Sequence, residues 1–165
     1  MVRRTRRRFV HEPPLHQACI LIVDDEPDIL AATKSYLHRA FPTIAIETAS
    51  SGPAALELVG LRPIDAILSD YRMPGMDGLQ LLELVSIASP ATARMMFTAY
   101  PDMDVAIGAV NHTRIVHFFT KPVDPQILRD VLASVMSAKR AIEARELAFR
   151  RSLNAMQIQP ATATA

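Results

Sequence analysis

Five short, almost wholly apolar runs alternate along this chain with stretches whose apolar residues recur every three or four positions. That alternation constrains the fold more than any other feature. Ala18 to Val23 (ACILIV) is unbroken and largely β-branched, the pattern of a strand covered on both faces. Ile44 to Thr48, Ile64 to Ser69, Ala93 to Thr98 and Ile115 to Thr120 read as four more strands. Between them, Pro27 suits the first turn of a helix carrying Ile29, Leu30, Thr33, Tyr36, Leu37 and Phe41. Ser51 can cap a second helix that stops near Gly60 and Pro63. Leu79 to Ile87 and Asp102 to Asn111 are helical, and Asp124-Pro125 opens a fifth helix. Strands alternating with helices imply right-handed βαβ crossovers, hence an α/β fold with a doubly wound five-stranded parallel sheet.

The ends of those runs carry the chemistry. Asp24-Asp25 ends the first, Asp70 the third and Thr98 the fourth, while Lys121-Pro122 follows the fifth. In a parallel sheet all of them reach the carboxyl edge, where open α/β sheets bind ligands. Carboxylates brought that close repel, and a hard divalent cation relieves the conflict. Mg²⁺ prefers such oxygen ligands, with Mn²⁺ as its substitute. Asp70 can act as a nucleophile toward phosphorus. Lys121 offers a phosphoryl oxygen a positive charge, and Thr98 a hydroxyl. Singly, each residue has an ordinary reading: turn former, β-propensity, solvated charge. The inference rests on all four motifs falling at strand ends.

LIVDDEP (Leu21 to Pro27), SDYRMPGMDG (Ser69 to Gly78), MFTAY (Met96 to Tyr100) and FFTKP (Phe118 to Pro122) together resemble the receiver domain of bacterial response regulators, the CheY-like single-domain type. The match covers about residues 18 to 138. The resemblance implies a (βα)5 flavodoxin-like sheet of order 2-1-3-4-5. It makes Asp70 the phosphorylated residue, Asp25 the direct metal ligand and Asp24 a ligand through water, with Arg72 supplying a backbone carbonyl. Thr98 and Lys121 would grip the phosphoryl oxygens, and the peptide before Pro122 would be cis. Phe118 would be the aromatic switch, with Phe119 pointing to the opposite face. Arg72 and Tyr100 would flank the phosphoryl group. The implied donor is a histidine kinase or a histidine phosphotransfer protein, and the implied chemistry stops at the domain's own phosphorylation and dephosphorylation.

Outside residues 18–138 the chain reads as appendages. Residues 1–17, with Arg3, Arg4, Arg6, Arg7 and Arg8, suit a disordered tail, as do residues 158–165. The last helix can run from Gln126 to about Met156 without a glycine or proline, leaving 139–157 as an extension of it. Leu128, Val135, Ile142, Phe149 and Met156 recur every seven residues, while the companion series Leu132, Lys139, Glu146, Leu153 is apolar only at its ends. The first half suffices to cover a sheet. The rest suits a homodimer through residues 126–157 or another helical contact; the competing reading is a frayed, charged extension.

At 165 residues, half of them apolar and with a net charge of +1, the chain suits one soluble domain with no bias toward nucleic acid or membrane. A single cysteine, Cys19, points to a reducing compartment, the cytoplasm. With no further domain recognisable, the expected function is a stand-alone phosphorelay response regulator that presents a changed binding face to an effector protein. A phosphohydrolase working through an aspartyl phosphate is the alternative from another class, although Arg72 stands where such enzymes place a proton-donating acid. The arginine tail as a nucleic-acid arm is a third and weaker reading, since no aromatic residues interleave it.

Overall fold

The computed structural model describes residues 17–99 and 114–157, apart from the side chains of 155–157. The helix expected over 102–111, Tyr100, the arginine tail and residues 158–165 lie outside the described residues. The elements are β1 (Cys19–Val23), α1 (Pro27–Ala40), β2 (Ala45–Ala49), α2 (Gly52–Leu61), β3 (Ala66–Asp70), α3 (Gly78–Ala88), β4 (Ala93–Thr98), β5 (Ile115–Thr120) and α4 (Pro125–Gln157). All strand pairs are parallel, in the order β2-β1-β3-β4-β5.

Two apolar layers sandwich the sheet because successive strand residues point to opposite faces. Leu21, Val23 and Ile67 pack with Ala55 of α2 and with Leu81, Leu82 and Val85 of α3. Ile20, Ile22, Leu68 and Met95 face the other way, toward Leu37 of α1 and Leu128, Leu132 and Met136 of α4. Full burial of each such leucine or isoleucine stabilises by about 1.5–3 kcal/mol. All five residues of β1 and of β3 are buried, as unbroken apolar runs in the middle of a sheet require.

Local chemistry sets the helix starts. The Ser51 hydroxyl accepts the Ala54 N–H at 3.4 Å, and Asp77 with Gln80 forms a reciprocal capping box. Asp124 accepts the Gln126 N–H at 2.7 Å, just outside the proline that opens α4.

At the amino end of the sheet, buried Asp65 gathers three elements. Its carboxylate accepts the Cys19 N–H at 2.8 Å, its carbonyl accepts the Ala93 N–H at 2.9 Å, and Lys139 Nζ of α4 lies 3.1 Å from Asp65 Oδ1 and donates to the Asp65 carbonyl at 3.1 Å. Lys139 therefore serves the body of the domain and not a seam between helices, because a buried carboxylate at the base of the sheet offers it a better partner than an apolar stripe. Beyond Lys139, α4 continues for about 27 Å at 1.5 Å per residue. There Ile142, Phe149 and Leu153 are 57%, 64% and 44% exposed. No described helix is long and apolar enough to cross a membrane.

Two glycines test the packing. A Cβ on Gly78, the first residue of α3, would press into the Asp70 carbonyl oxygen, whereas one on Gly60 in α2 meets nothing within 4 Å. Gly78→Ala should lower stability by about 1–3 kcal/mol, and Gly60→Ala should raise it by about 0.5–1 kcal/mol. Urea midpoints read both. A Gly78→Ala midpoint equal to the parent's would contradict the close approach of α3 to β3.

Candidate functional site

The carboxyl ends of β1, β3 and β5 meet at one ammonium group. Lys121 Nζ donates to Asp24 Oδ2 at 3.0 Å and stands 2.5 Å from Asp70 Oδ1. The opposite oxygens of both carboxylates accept backbone N–H groups: Asp24 Oδ1 from Glu26 at 2.9 Å and Asp70 Oδ2 from Arg72 at 2.7 Å. Each acid is thus held at both ends, one by the charge and one by the chain just beyond its own strand. The Asp24 side chain is 1% exposed, Asp70 11% and Lys121 25%. Burial acts to lower the Lys121 pKa, but the hydrogen bonds to Asp70 and then Asp24, together with their charges, outweigh it and hold the ammonium above its ordinary value.

Backbone bonds keep the strand ends in register around this cluster. Lys121 N–H donates to the Thr98 carbonyl at 2.8 Å, Tyr71 N–H to Phe97 at 2.9 Å and Gly78 N–H to Tyr71 at 2.9 Å. Thr98 ends β4 opposite Thr120. The turn after Asp70 is anchored by buried Met73, and it reverses at Gly75, whose φ of 79° favours glycine. The Lys121–Pro122 peptide is cis.

Asp25, next in the chain after buried Asp24, is exposed. It lines an open cleft with Arg72, Met73 and Asp77. Among the described residues no three acidic, histidine or cysteine side chains stand close enough together to hold a metal ion. The carboxylates of Asp24 and Asp70 meet at Lys121, and that of Asp25 lines the cleft. Arg72 is exposed beside it. Phe118 is half-buried in the α2–α3 layer while Phe119 is buried in the α1–α4 layer, so the two rings do face opposite ways. Tyr100 lies outside the described residues.

Two features were not singled out from the residues. The tight fit of Gly78 against Asp70 was signalled only by a glycine following the Asp77 cap. A largely apolar cavity of about 580 Å³ opens beside Lys121, lined by Ile29, Tyr36, Phe97, Pro122 and Val123 among others. Its signal is an aromatic residue, Tyr36, on the sheet-facing side of α1; the Tyr36 hydroxyl donates to the Pro125 carbonyl at 2.5 Å.

A family model of the response regulator receiver domain matches residues 20–133, and the chain belongs to that family. The response regulator protein PilR of Pseudomonas aeruginosa is 37% identical over 116 residues, which are 70% of this chain and 25% of that protein. A response regulator receiver domain protein from Clostridium thermocellum superposes with a TM-score of 0.69 at 28% identity, covering 76% of this chain and 98% of that one. The chemotaxis protein CheY4 of Vibrio cholerae gives 0.66 at 27% identity, covering 73% and 99%. The chain spans about a quarter of the length of the curated relatives it matches.

The electrostatics of the cluster have a definite pH signature. Because the Lys121 pKa is raised on folding, its contribution is complete below its unfolded value near 10.5 and is lost as pH rises through the folded one. Lys121→Met should therefore cost about 2 kcal/mol at pH 8, and the deficit should shrink as pH rises from there past about 10.5, where the parent's lysine loses its charge. Urea midpoints of both proteins across that range decide it, and a deficit independent of pH would deny the pairing.

Proposed function

We propose that this chain is a phosphorylation-driven switch of a two-component phosphorelay, acting in the cytoplasm. The observation that carries the reading is the Lys121 ammonium held between the Asp24 and Asp70 carboxylates. In the proposed reaction an Asp70 oxygen attacks the phosphorus of a phosphohistidine on a histidine kinase or phosphotransfer protein. An acyl phosphate bond forms, and the P–N bond breaks with its electron pair left on the imidazole. Lys121 then meets a phosphoryl oxygen as well as Asp24, and Thr98 supplies a hydroxyl. The Arg72 N–H keeps the carboxylate aimed at the cleft. Arg72 flanks the entering group.

The residues fit Mg²⁺. Asp24, Asp70 and the Arg72 carbonyl are oxygen donors only, and the two buried carboxylates share a single ammonium. One or two carboxylates with waters and a phosphate oxygen are what this ion takes. When bound, it would supply positive charge that offsets the attacking carboxylate and the phosphoryl oxygens. No other reaction is assigned to the chain beyond loss of its own phosphoryl group.

For output, the added charge biases the region of Thr98 and Phe118. An effector protein reads the altered face, and a second copy of the chain docks on the part of α4 beyond the domain body. Incubation with Mg²⁺ and acetyl phosphate should add one phosphoryl group by intact mass. Asp70→Asn should add none, and chelating the metal should suppress the gain in the parent. An equal mass gain in the Asn variant overturns the assignment of Asp70.

A further inference from the structure

We infer that the part of α4 beyond the domain body pairs antiparallel with the same segment of a second copy, residues 139–156 of one lying along 156–139 of the other. The inference rests on the proposed self-docking through α4 and fixes its direction and register.

The first argument is placement. Leu128 and Leu132, which seat α4 on its own sheet, are buried, and Ile142, Phe149 and Leu153 continue on the same side of the helix at 3.6 residues per turn. A parallel partner covering that stripe would bring two domain bodies into one space. An antiparallel partner sets the bodies at opposite ends of the pair. That register uses the whole segment beyond the domain body and stops where Lys139 binds Asp65, 3.1 Å away.

The second argument is charge. Within the heptads, Ile142 and Phe149 occupy one core series and Glu146 and Leu153 the other, with Glu143 and Arg150 flanking on one side and Arg145 on the other. A parallel pair sets Glu146 against Glu146 and Arg145 against Arg150, two repulsions. The antiparallel pair sets Ile142 over Leu153 and lays the stem of Glu146 across Phe149. It also brings Glu143 of each copy to Arg150 of the other. Flanking charges of this kind choose the orientation of paired helices. The segment is only about 27 Å long, so association should depend on concentration.

The test is sedimentation equilibrium of the full 165-residue chain with charge-reversed variants. Both sites are exposed and remote from the sheet, so circular dichroism should be unchanged. The parent should dimerise. Glu143→Arg and Arg150→Glu should each weaken the dimer about tenfold or more, by turning two attractions into repulsions. An equimolar mixture of the two should recover it, because each mutant then meets its complement. A tighter Arg150→Glu dimer, or an indifferent Glu143→Arg, would mean a parallel pair and overturn the inference. A parent that stays monomeric would remove self-docking itself, while phosphoryl uptake at Asp70 is read independently by mass.

Discussion

One lysine holds the business end of this molecule together. Three strands that are far apart in sequence end at the Lys121 ammonium, and two of them deliver it a nearly buried carboxylate. Two negative charges against one positive leave the cluster short of positive charge. That imbalance makes the pocket receptive to a cation. It also makes the arrangement sensitive to any group that adds charge to Asp70, since the same ammonium must then be shared differently. The cost of burying the acids is offset by bonds from the backbone, from Glu26 to Asp24 and from Arg72 to Asp70. The close seat of Gly78 against the end of β3 keeps α3, and the turn leading into it, near the acid they serve.

The opposite end of the sheet carries a second aspartate–lysine pair with a different task. Asp65 is bound by β1, β4 and α4 together, so nothing there is left to react. The pair fixes where the long helix parts from the domain. The molecule thus uses one chemical combination twice, open to a cleft at the carboxyl edge and closed over at the amino edge.

The order of elements was legible in the sequence because buried parallel strands must be apolar on both faces and helices must show a periodic stripe. Ala93 to Thr98 and Ile115 to Thr120 are the observed strands to the residue. The others shift by one or two positions, as with β2 at Ala45–Ala49, because hydrogen bonds to neighbouring strands, not composition, set where pairing ends. At the site, Asp24, Asp70 and Lys121 could be foreseen as neighbours because each follows a strand. The exposure of Asp25 beside a buried Asp24 could not, because it depends on how the chain runs on after the last paired residue. The role of Lys139 was hidden for a similar reason: its partner lies 74 positions away, and heptad counting sees only its own helix.

Adjacent rings on β5 have a mechanical consequence. Phe118 is embedded in the α2–α3 layer, and Phe119 lies with its ring centroid 5.6 Å from that of Phe97 in the α1–α4 layer. Among the described residues this outermost strand is bonded only to β4, so its adjacent rings tie it into the apolar layers on both faces of the sheet.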